Sequence, residues 1–247
     1  MKKSLDQLTA VQGNNTLPLQ HVAIIMDGNR RWAGLRKLPH LMGHREGVKS
    51  LKRLVKHVGK LGLKYLTVYA FSSENWQRSQ EEVDYLFELF ASVLKEELLE
   101  LHESRVKLSF LGQLDRMPAN LKKSFEEAMT RTVSNKGLSL QVAINYGSRL
   151  EITEATKTIA CGIKSGAISI DDITDDLIEQ HLYTKGLPDP ELLIRTGGEM
   201  RLSNYLLWQA AYAEFYVTPV LWPEFTPECF DTAIAEFKQR ERRFGGD

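Results

Sequence analysis

Short apolar runs alternate along the chain with longer segments in which apolar residues recur every three or four positions. The run at 22–26 has no polar alternation, which is typical of a strand buried on both faces. Strands are predicted over 22–26, 66–71, 106–110, 140–144, 192–195 and 214–218, and helices over 48–61, 81–103, 118–135, 150–164 and 227–240. This alternation predicts an α/β fold, with a mostly parallel sheet covered by helices on both faces.

The chain is expected to form one folded unit after a short tail. Residues 1–20 are polar and predict a flexible tail, whereas no linker, repeat or low-complexity tract interrupts 21–247. A single domain is therefore expected over 21–247. No segment has the pattern of a signal peptide, and no apolar stretch approaches the roughly 18 residues of a spanning helix. A cytoplasmic location is the resulting expectation.

Charge and cysteine content exclude several classes of protein. The 32 basic residues equal the 32 acidic residues, which argues against a nucleic-acid-binding protein that relies on a global basic field. The two cysteines, Cys161 and Cys229, are far apart and have no CxxC spacing. Neither a zinc site nor a disulfide framework is therefore expected.

Polar chemistry begins where the first strand ends. Asp27, Gly28, Asn29, Arg30 and Arg31 follow the apolar run at once. An Asp-Gly pair is also a common turn, so this segment alone has two interpretations. Ligands of open α/β sheets bind at the carboxyl ends of the strands, and arginines there suit an anion. The glycine would let backbone N–H groups approach a phosphate.

Two other strand ends repeat this pattern. A group of polar and aromatic residues follows the second strand, and arginines with a Gly-Gly pair follow the fifth. These residues are Ser72, Ser73, Glu74, Asn75, Trp76 and Arg78, and then Arg195, Gly197, Gly198 and Arg201. Neither segment matches a dinucleotide fingerprint or a Walker loop. A lone serine there is more often a helix cap, but three arginine-bearing strand ends of one sheet predict convergence on one anionic ligand. His44, near the start of the next helix, is either structural or a phosphate donor.

An acidic cluster further along the chain has a structural interpretation. Asp171, Asp172 and Asp175 match a DDxxD spacing that holds magnesium in all-helical prenyl synthases. Here the spacing stands alone in an α/β sequence, just before an apolar pair. Acidic residues are favoured at helix N-termini by the helix dipole, so we predict capping.

The helix at 81–103 has an unusually wide apolar face. Its apolar residues cover about half of the circumference, which suits core packing and also the wall of an apolar tunnel. Burying a hydrocarbon contributes about 0.8 kcal/mol per methylene, so a fifteen-carbon chain gains at most roughly 12 kcal/mol. Glu97 falls inside the apolar face and should have a cationic or hydrogen-bonding partner.

Taken together, these segments resemble the cis-prenyltransferases of the undecaprenyl diphosphate synthase type. The resemblance extends from residue 21 to residue 246 and is carried by HVAIIMDGNRRWA, GHREG, YAFSSENWQR, INYGSR, LLIRTGGEMRLSNYLLWQAAYAEFY and RRFGG. It implies a six-stranded sheet with a hydrophobic tunnel, built as a homodimer. It also implies Mg²⁺-dependent addition of isopentenyl diphosphate to an allylic diphosphate such as farnesyl diphosphate, giving a C55 lipid carrier precursor for the cell wall.

The resemblance also implies roles for individual residues. Asp27 would hold Mg²⁺ on a diphosphate, Asn75 would assist proton removal, and Glu214 would be a second metal ligand. Arg243, Phe244 and Gly245 resemble a C-terminal segment that reaches a site. The implied substrate-binding residues are Gly28, Asn29, Arg30, Arg31, Trp32, His44, Ser72, Ser73, Glu74, Trp76, Arg78, Arg195, Arg201, Leu202 and Ser203.

Four positions depart from the common bacterial pattern, and three alternatives remain open. Arg30, His40, Ser148 and Glu191 stand where glycine, arginine, glycine and aspartate are usual, so no phosphate contact is expected of His40. The alternatives are a short-chain synthase, a non-catalytic partner subunit, and a phosphate-ligand protein without a tunnel. A peripheral membrane contact at product release is also open.

Overall fold

The protein is built on one six-stranded sheet in which every pairing is parallel. A computed structural model describes residues 19–240. The strands are β1 His21–Ile25, β2 Tyr65–Ser72, β3 Lys107–Leu111, β4 Ser139–Tyr146, β5 Leu192–Arg195 and β6 Glu214–Val217, in the order β3-β4-β2-β1-β5-β6. The predicted α/β class and all six predicted strands are confirmed.

Helices connect the strands and cover both faces of the sheet, as predicted. They are α1 Asn29–Leu35, α2 His40–Leu61, α3 Gln80–Glu103, α4 Ala119–Thr132, α5 Ser148–Lys164, α6 Asp175–Glu179 and α7 Pro227–Gln239. Helix α1 was not expected, because its residues have no apolar periodicity. Gly28 precedes it with φ 112°, a conformation that glycine adopts without strain.

Two apolar clusters, one on each face of the sheet, hold these layers together. The larger one packs α2, α3, α4 and α7 against the sheet. The smaller one, on the other face, centres on Tyr69, Tyr146 and Tyr205. Leu19 is only 1% exposed and belongs to the larger cluster. The folded part therefore includes Leu19, inside the predicted tail, while residues 1–18 lie outside the described residues.

In the acidic cluster at 171–175, Asp172 makes the predicted capping contact and Asp175 lies in the first turn of a helix. The Asp172 carboxylate accepts a hydrogen bond from the Ser169 backbone N–H at 2.8 Å. Asp175 begins α6, where Thr174 provides the cap by accepting from the Leu177 N–H. These contacts satisfy backbone donors at helix starts.

The strand order places a crevice between β1 and β5. Connections from β1 lead to β2, β3 and β4 on one side, whereas the chain returns to the other side of β1 for β5. Ile25 is in register with Arg195, so the segments after both strands emerge together. Such a reversal of strand order is where open α/β sheets bind ligands.

Candidate active site

Asp27, the second residue after β1, is paired with Arg195, the last residue of β5. Arg195 Nη2 donates to Asp27 Oδ2 at 2.7 Å, and Arg195 Nη1 donates to Ser203 Oγ at 2.8 Å. Arg195 also donates to the Arg201 carbonyl oxygen. The arginine side chain is 5% exposed, so its guanidinium is fixed in the crevice between the two strands.

A second arginine reaches the same carboxylate from α1. Arg31 Nη2 lies 3.2 Å from Asp27 Oδ1, and Nη1 donates to the Gly197 carbonyl at 2.7 Å. A Cβ at position 197 would clash with this guanidinium. Glu199 Oε1 lies 3.5 Å from Arg31 Nη1, and Glu199 Oε2 accepts from Arg201 at 2.6 Å. The predicted convergence of the first and fifth strand ends is thus observed.

The Asp27 carboxylate stays ionised in this setting. Burial raises its pKa, but the hydrogen bond and charge of Arg195, followed by those of Arg31, outweigh burial and leave the pKa below its usual value. A permanently charged carboxylate between two arginines leaves the cluster with net positive charge. This charge balance favours an anionic ligand.

The end of β2 supplies the second part of the site. The sheet register shifts between Tyr69 and Ser72, and such irregularities change the direction of a strand at its end. In the turn that follows, Asn75 Oδ1 accepts from the Ser72 backbone N–H at 3.0 Å. Glu74 Oε1 accepts from Asn204 Nδ2 at 2.8 Å. Asn204 follows Ser203, so this turn is tied to the segment beyond β5.

A third group centres on Glu82 in the first turn of α3. Its Oε1 accepts from Arg78 at 2.9 Å and lies 3.1 Å from His44 Nε2. Arg30 lies 4.0 Å from Oε2. Burial raises the pKa of Glu82, but the charge of Arg78 and the hydrogen bond from His44 lower it overall. Burial lowers the pKa of His44, which favours neutral imidazole.

Two polar atoms at this edge are buried without a partner. They are Asn29 Oδ1 and Arg195 Nε. Buried polar atoms are normally satisfied, so each such exception needs an explanation. Both atoms belong to predicted binding residues, and a bound ligand or water would provide their hydrogen-bond partners.

An apolar cavity opens beside these groups. Its volume is about 560 Å³, within the range of ligand-binding pockets. Met26, Asn29 and His44 line one part of it, and Leu138 lines another. The remaining wall is mainly apolar side chains of α2, α3 and the sheet, including Leu51, Val55, Leu86, Leu89, Phe90, Val93, Leu94, Leu108, Leu140 and Ile144. The wide face of α3 therefore borders a cavity, which excludes the phosphate-ligand protein without a tunnel.

Several predicted residues lie apart from this cluster. Trp32 stacks under the Arg36 guanidinium at 4.4 Å, and the Trp76 ring packs on Phe71 and Phe87. Leu202 packs against the smaller apolar cluster. Their predicted substrate contacts remain predictions, and residues 243–245 lie outside the described residues.

Glu214 lies at the opposite edge of the sheet from Asp27. It begins β6 in register with Leu192, and its Oε2 accepts from Arg240 at 2.9 Å. In the sheet register Glu214 is level with Val22, five residues before Asp27. The two positions are therefore about 16 Å apart along the strand direction. Within one protomer, the two predicted metal ligands are therefore not brought together.

The departures from the bacterial pattern have structural explanations. Arg30 Nε donates to His40 Nδ1 at 3.3 Å, so these two residues pair with each other. The buried Ser148 accepts from the Leu207 N–H at 3.0 Å. Glu191 accepts from the His21 N–H at 3.1 Å at the amino edge. Neither Ser148 nor Glu191 disturbs the arginine cluster.

Two residues of the site were missed in the sequence. Glu82 is the common partner of three basic residues, and Glu199 joins Arg31 to Arg201. A glutamate in the first turn of a helix is commonly explained by stabilisation of the helix dipole. The sequence therefore offered no reason to assign Glu82 to the site. Glu199 had a detectable signal, since it lies between the Gly-Gly pair and Arg201.

Sequence comparisons identify the family. Residues 25–245 match the family model described as putative undecaprenyl diphosphate synthase. The isoprenyl transferase of Clostridium perfringens is 51% identical over 92% of this chain and 90% of its own length. The isoprenyl transferase of Bacillus subtilis is 49% identical over 92% of this chain and 87% of its own length.

Solved structures agree with this assignment. Lavandulyl diphosphate synthase from Lavandula x intermedia, solved with dimethylallyl diphosphate, has a TM-score of 0.90 at 39% identity, covering 93% of this chain and 99% of its own. A probable undecaprenyl diphosphate synthase from Campylobacter jejuni has a TM-score of 0.75 at 33% identity, covering 92% and 98%. This chain therefore belongs to the undecaprenyl diphosphate synthase family and is a prenyltransferase.

Proposed function

We propose that this enzyme elongates an allylic diphosphate, such as farnesyl diphosphate, by repeated addition of isopentenyl diphosphate to a long polyprenyl diphosphate. The observation that carries the proposal is an arginine cluster beside an apolar cavity of about 560 Å³. The cluster suits diphosphates and the cavity suits a hydrocarbon. A C55 product fits the family, and chain length is the property to measure.

The arginines would bind and orient the diphosphates. Arg31 and Arg195 present guanidinium groups on both sides of Asp27, and charge-assisted hydrogen bonds contribute about 1.5–3 kcal/mol each. Guanidinium groups at the departing diphosphate would stabilise the charge that develops as the allylic C–O bond breaks. Arg78 and His44, held by Glu82, would contact the same ligands from the α3 side.

The site fits Mg²⁺ through one protein carboxylate. Asp27 is ionised and its side chain is 29% exposed, and Mg²⁺ is commonly held by one or two carboxylates with substrate phosphates and water. Among residues 19–240 no cluster of three acidic, histidine or cysteine side chains provides a complete metal cage. A bound Mg²⁺ would neutralise diphosphate charge and aid its departure.

The predicted role of Asn75 forms part of the same proposal, whereas Glu214, which lies at the amino edge of the protomer, is left out of the proposed metal site. Asn75 would assist proton removal, although its side-chain oxygen caps a turn here. Glu214 would reach a metal only in an assembly that brings it to a carboxyl edge, such as the homodimer that the family resemblance implies. In the described part of the chain, no helix has the length and apolar character needed to cross a bilayer.

The decisive experiment is incubation with farnesyl diphosphate, radiolabelled isopentenyl diphosphate and Mg²⁺. We expect chain extension in successive C5 steps, read by mass spectrometry of the dephosphorylated products. Absence of extension would overturn the elongase proposal. A single condensation, or a product of monoterpene size from dimethylallyl diphosphate, would support the short-chain alternative, which the Lavandula neighbour favours.

A further inference from the structure

The segment that follows β5 contains three non-glycine residues in the left-handed conformation. They are Ser203 with φ 51°, Asn204 with φ 61° and Leu206 with φ 45°. Residues with a side chain adopt this conformation at a cost, asparagine more readily than most, and they keep it where surrounding contacts hold them. The same segment holds the Arg195 guanidinium, which donates to Ser203 Oγ at 2.8 Å and to the Arg201 carbonyl oxygen. The strained backbone therefore lies directly beside the arginine cluster.

Asn204 joins this segment to the start of α5. Its Oδ1 accepts from the Arg149 N–H at 2.9 Å, and its carbonyl oxygen accepts from the Ser148 N–H at 2.8 Å. Gly147, which precedes α5, has no side chain that could cap the helix, so Asn204 satisfies two backbone donors that a helix start leaves free. A Cβ at position 147 would lie 2.7 Å from Asn204 Nδ2, so glycine permits this close approach. Asn204 thus caps α5 from a distant part of the chain.

The same amide reaches the turn that follows β2. Asn204 Nδ2 donates to Glu74 Oε1 at 2.8 Å, and Ser73 Oγ donates to Glu74 Oε2 at 3.1 Å. Burial raises the pKa of Glu74, but the hydrogen bond from Asn204 and those from neighbouring donors outweigh burial and lower the pKa overall. The carboxyl ends of β2 and β5 are therefore linked through one side chain, although β1 lies between these strands in the sheet.

We propose that Asn204 is a positioning residue for the diphosphate that binds at Arg195, Arg201 and Ser203, an inference that rests on the proposed elongation activity. The contacts of Asn204 with α5 and with Glu74 hold the neighbouring Ser203 hydroxyl and the Arg201 carbonyl against Arg195. A guanidinium that is already oriented loses less conformational freedom when it binds a diphosphate. Asn204 therefore contributes to the affinity for one substrate rather than to the chemical step.

A residue that only stabilised the start of α5 would act differently. Loss of a helix cap lowers the free energy of unfolding, but an enzyme that stays folded would keep its KM values. Asn204→Asp separates the two roles. Aspartate keeps an Oδ1 acceptor for the Arg149 N–H and also tolerates the left-handed conformation, but it places an oxygen opposite Glu74 Oε1.

The test measures kcat and the KM of each substrate in the full-length enzyme with farnesyl diphosphate, isopentenyl diphosphate and Mg²⁺. Because Asn204→Asp replaces a hydrogen bond to a carboxylate by repulsion, the KM of one substrate should rise by about tenfold or more. The other KM and kcat should each change by less than about threefold, since the group centred on Glu82 is held by contacts of its own.

Glu74→Gln is the second variant, made alone and together with Asn204→Asp. Glutamine can accept from the native asparagine and can donate to the aspartate, so the link between the two strand ends persists in both cases. The combined variant should therefore have the KM values of Glu74→Gln alone. If Asn204→Asp raised KM by the same factor in both backgrounds, the effects would be independent, and the inference would be overturned.

Asn135→Asp is the matched control. Asn135 Nδ2 donates to the Val106 carbonyl at 2.7 Å, beside the amino end of β3, and its substitution should leave both KM values unchanged. Asn204→Gly keeps the left-handed backbone without strain and should raise the same KM, which covers a failure of Asn204→Asp to fold. Unchanged KM values in a folded variant, or an equal rise for both substrates, would overturn the inference alone. A wild-type enzyme that adds no isopentenyl unit would instead overturn the proposed function, and the inference with it.

Discussion

The two edges of the sheet both carry charged side chains, but their partners differ. At the amino edge, the His21 ring contacts the Pro188 carbonyl at 2.6 Å and Thr67 Oγ1 at 2.7 Å. Glu191 there accepts from backbone N–H groups. At the carboxyl edge, Asp27 and Arg195 pair across two strand ends, and buried polar atoms remain without partners.

This difference separates structural polar groups from ligand-binding ones. The partners of His21 and Glu191 at the amino edge include backbone groups of distant segments, which the fold holds in place. Under the proposed function, the side-chain ion pairs at the carboxyl edge would exchange partners with a bound diphosphate. A bound ligand would supply partners for Asn29 Oδ1 and Arg195 Nε at the carboxyl edge, whereas the contacts of His21 and Glu191 at the amino edge join parts of the fold to one another.

The largest effect is expected from Asp27→Asn. The substitution keeps an oxygen acceptor for Arg195 but removes the charge that suits Mg²⁺, so we expect turnover to fall by about 10³-fold. Steady-state incorporation of labelled isopentenyl diphosphate measures this, and circular dichroism should show an intact fold. Asp84→Asn is the control, because Asp84 is an exposed residue of α3 that accepts a hydrogen bond from Gln80. A loss below tenfold would contradict the role of Asp27.

Glu82→Gln should have the next largest effect. Glutamine keeps the length of the side chain but loses the charge that holds Arg78 and His44. Loss of one charge-assisted hydrogen bond, about 1.5–3 kcal/mol, predicts a 10- to 100-fold lower kcat/KM. Glu81→Gln, on the neighbouring exposed residue, should retain activity. Equal activity of the two variants would show that Glu82 does not position the site.

The sequence predicted the strands and their polar ends better than the structure of the segments that follow them. Buried strands are continuous apolar runs, so all six strands and the polar ends of three were visible. Helix α1 was missed because a seven-residue helix with Asn29, Arg30 and Arg31 in its first turn has no apolar period. Its arginines therefore appeared to belong to a loop.

Pairings between distant residues could not be predicted from the sequence. Glu82 meets His44 across 38 positions, and Lys52 meets Glu97 across 45, because two helices lie side by side over one face. Periodicity identifies the apolar face of a helix but not its neighbour. Conversely, the first residue of a parallel strand lies at the amino edge, so the position of Glu214 was already implied by the predicted strand 214–218.

The amino edge should be the part that is sensitive to mild acid. Burial lowers the pKa of His21 to about 4 from 6.5. Below pH 6.5 the unfolded chain binds a proton that folded His21 does not, so stability falls as the pH falls towards 4. Between pH 6.5 and 5 the free energy of unfolding should drop by about 2 kcal/mol. Urea titrations measure this, and His21→Gln should show a flatter pH dependence. An identical dependence in the variant would assign the effect to other groups.

Glu214→Gln should have the smallest effect. Its ion pair with Arg240 is about one-third exposed on both sides, and such pairs contribute at most about 1 kcal/mol to stability. Within one protomer, Glu214 and Asp27 are separated by most of the length of a strand. The loss of turnover in Glu214→Gln should therefore be at least tenfold smaller than the loss in Asp27→Asn. Both variants are assayed at the same Mg²⁺ and substrate concentrations. Equal losses would contradict this separation and would indicate that a second copy of the chain brings its Glu214 to the site, since the two edges of one sheet stay apart.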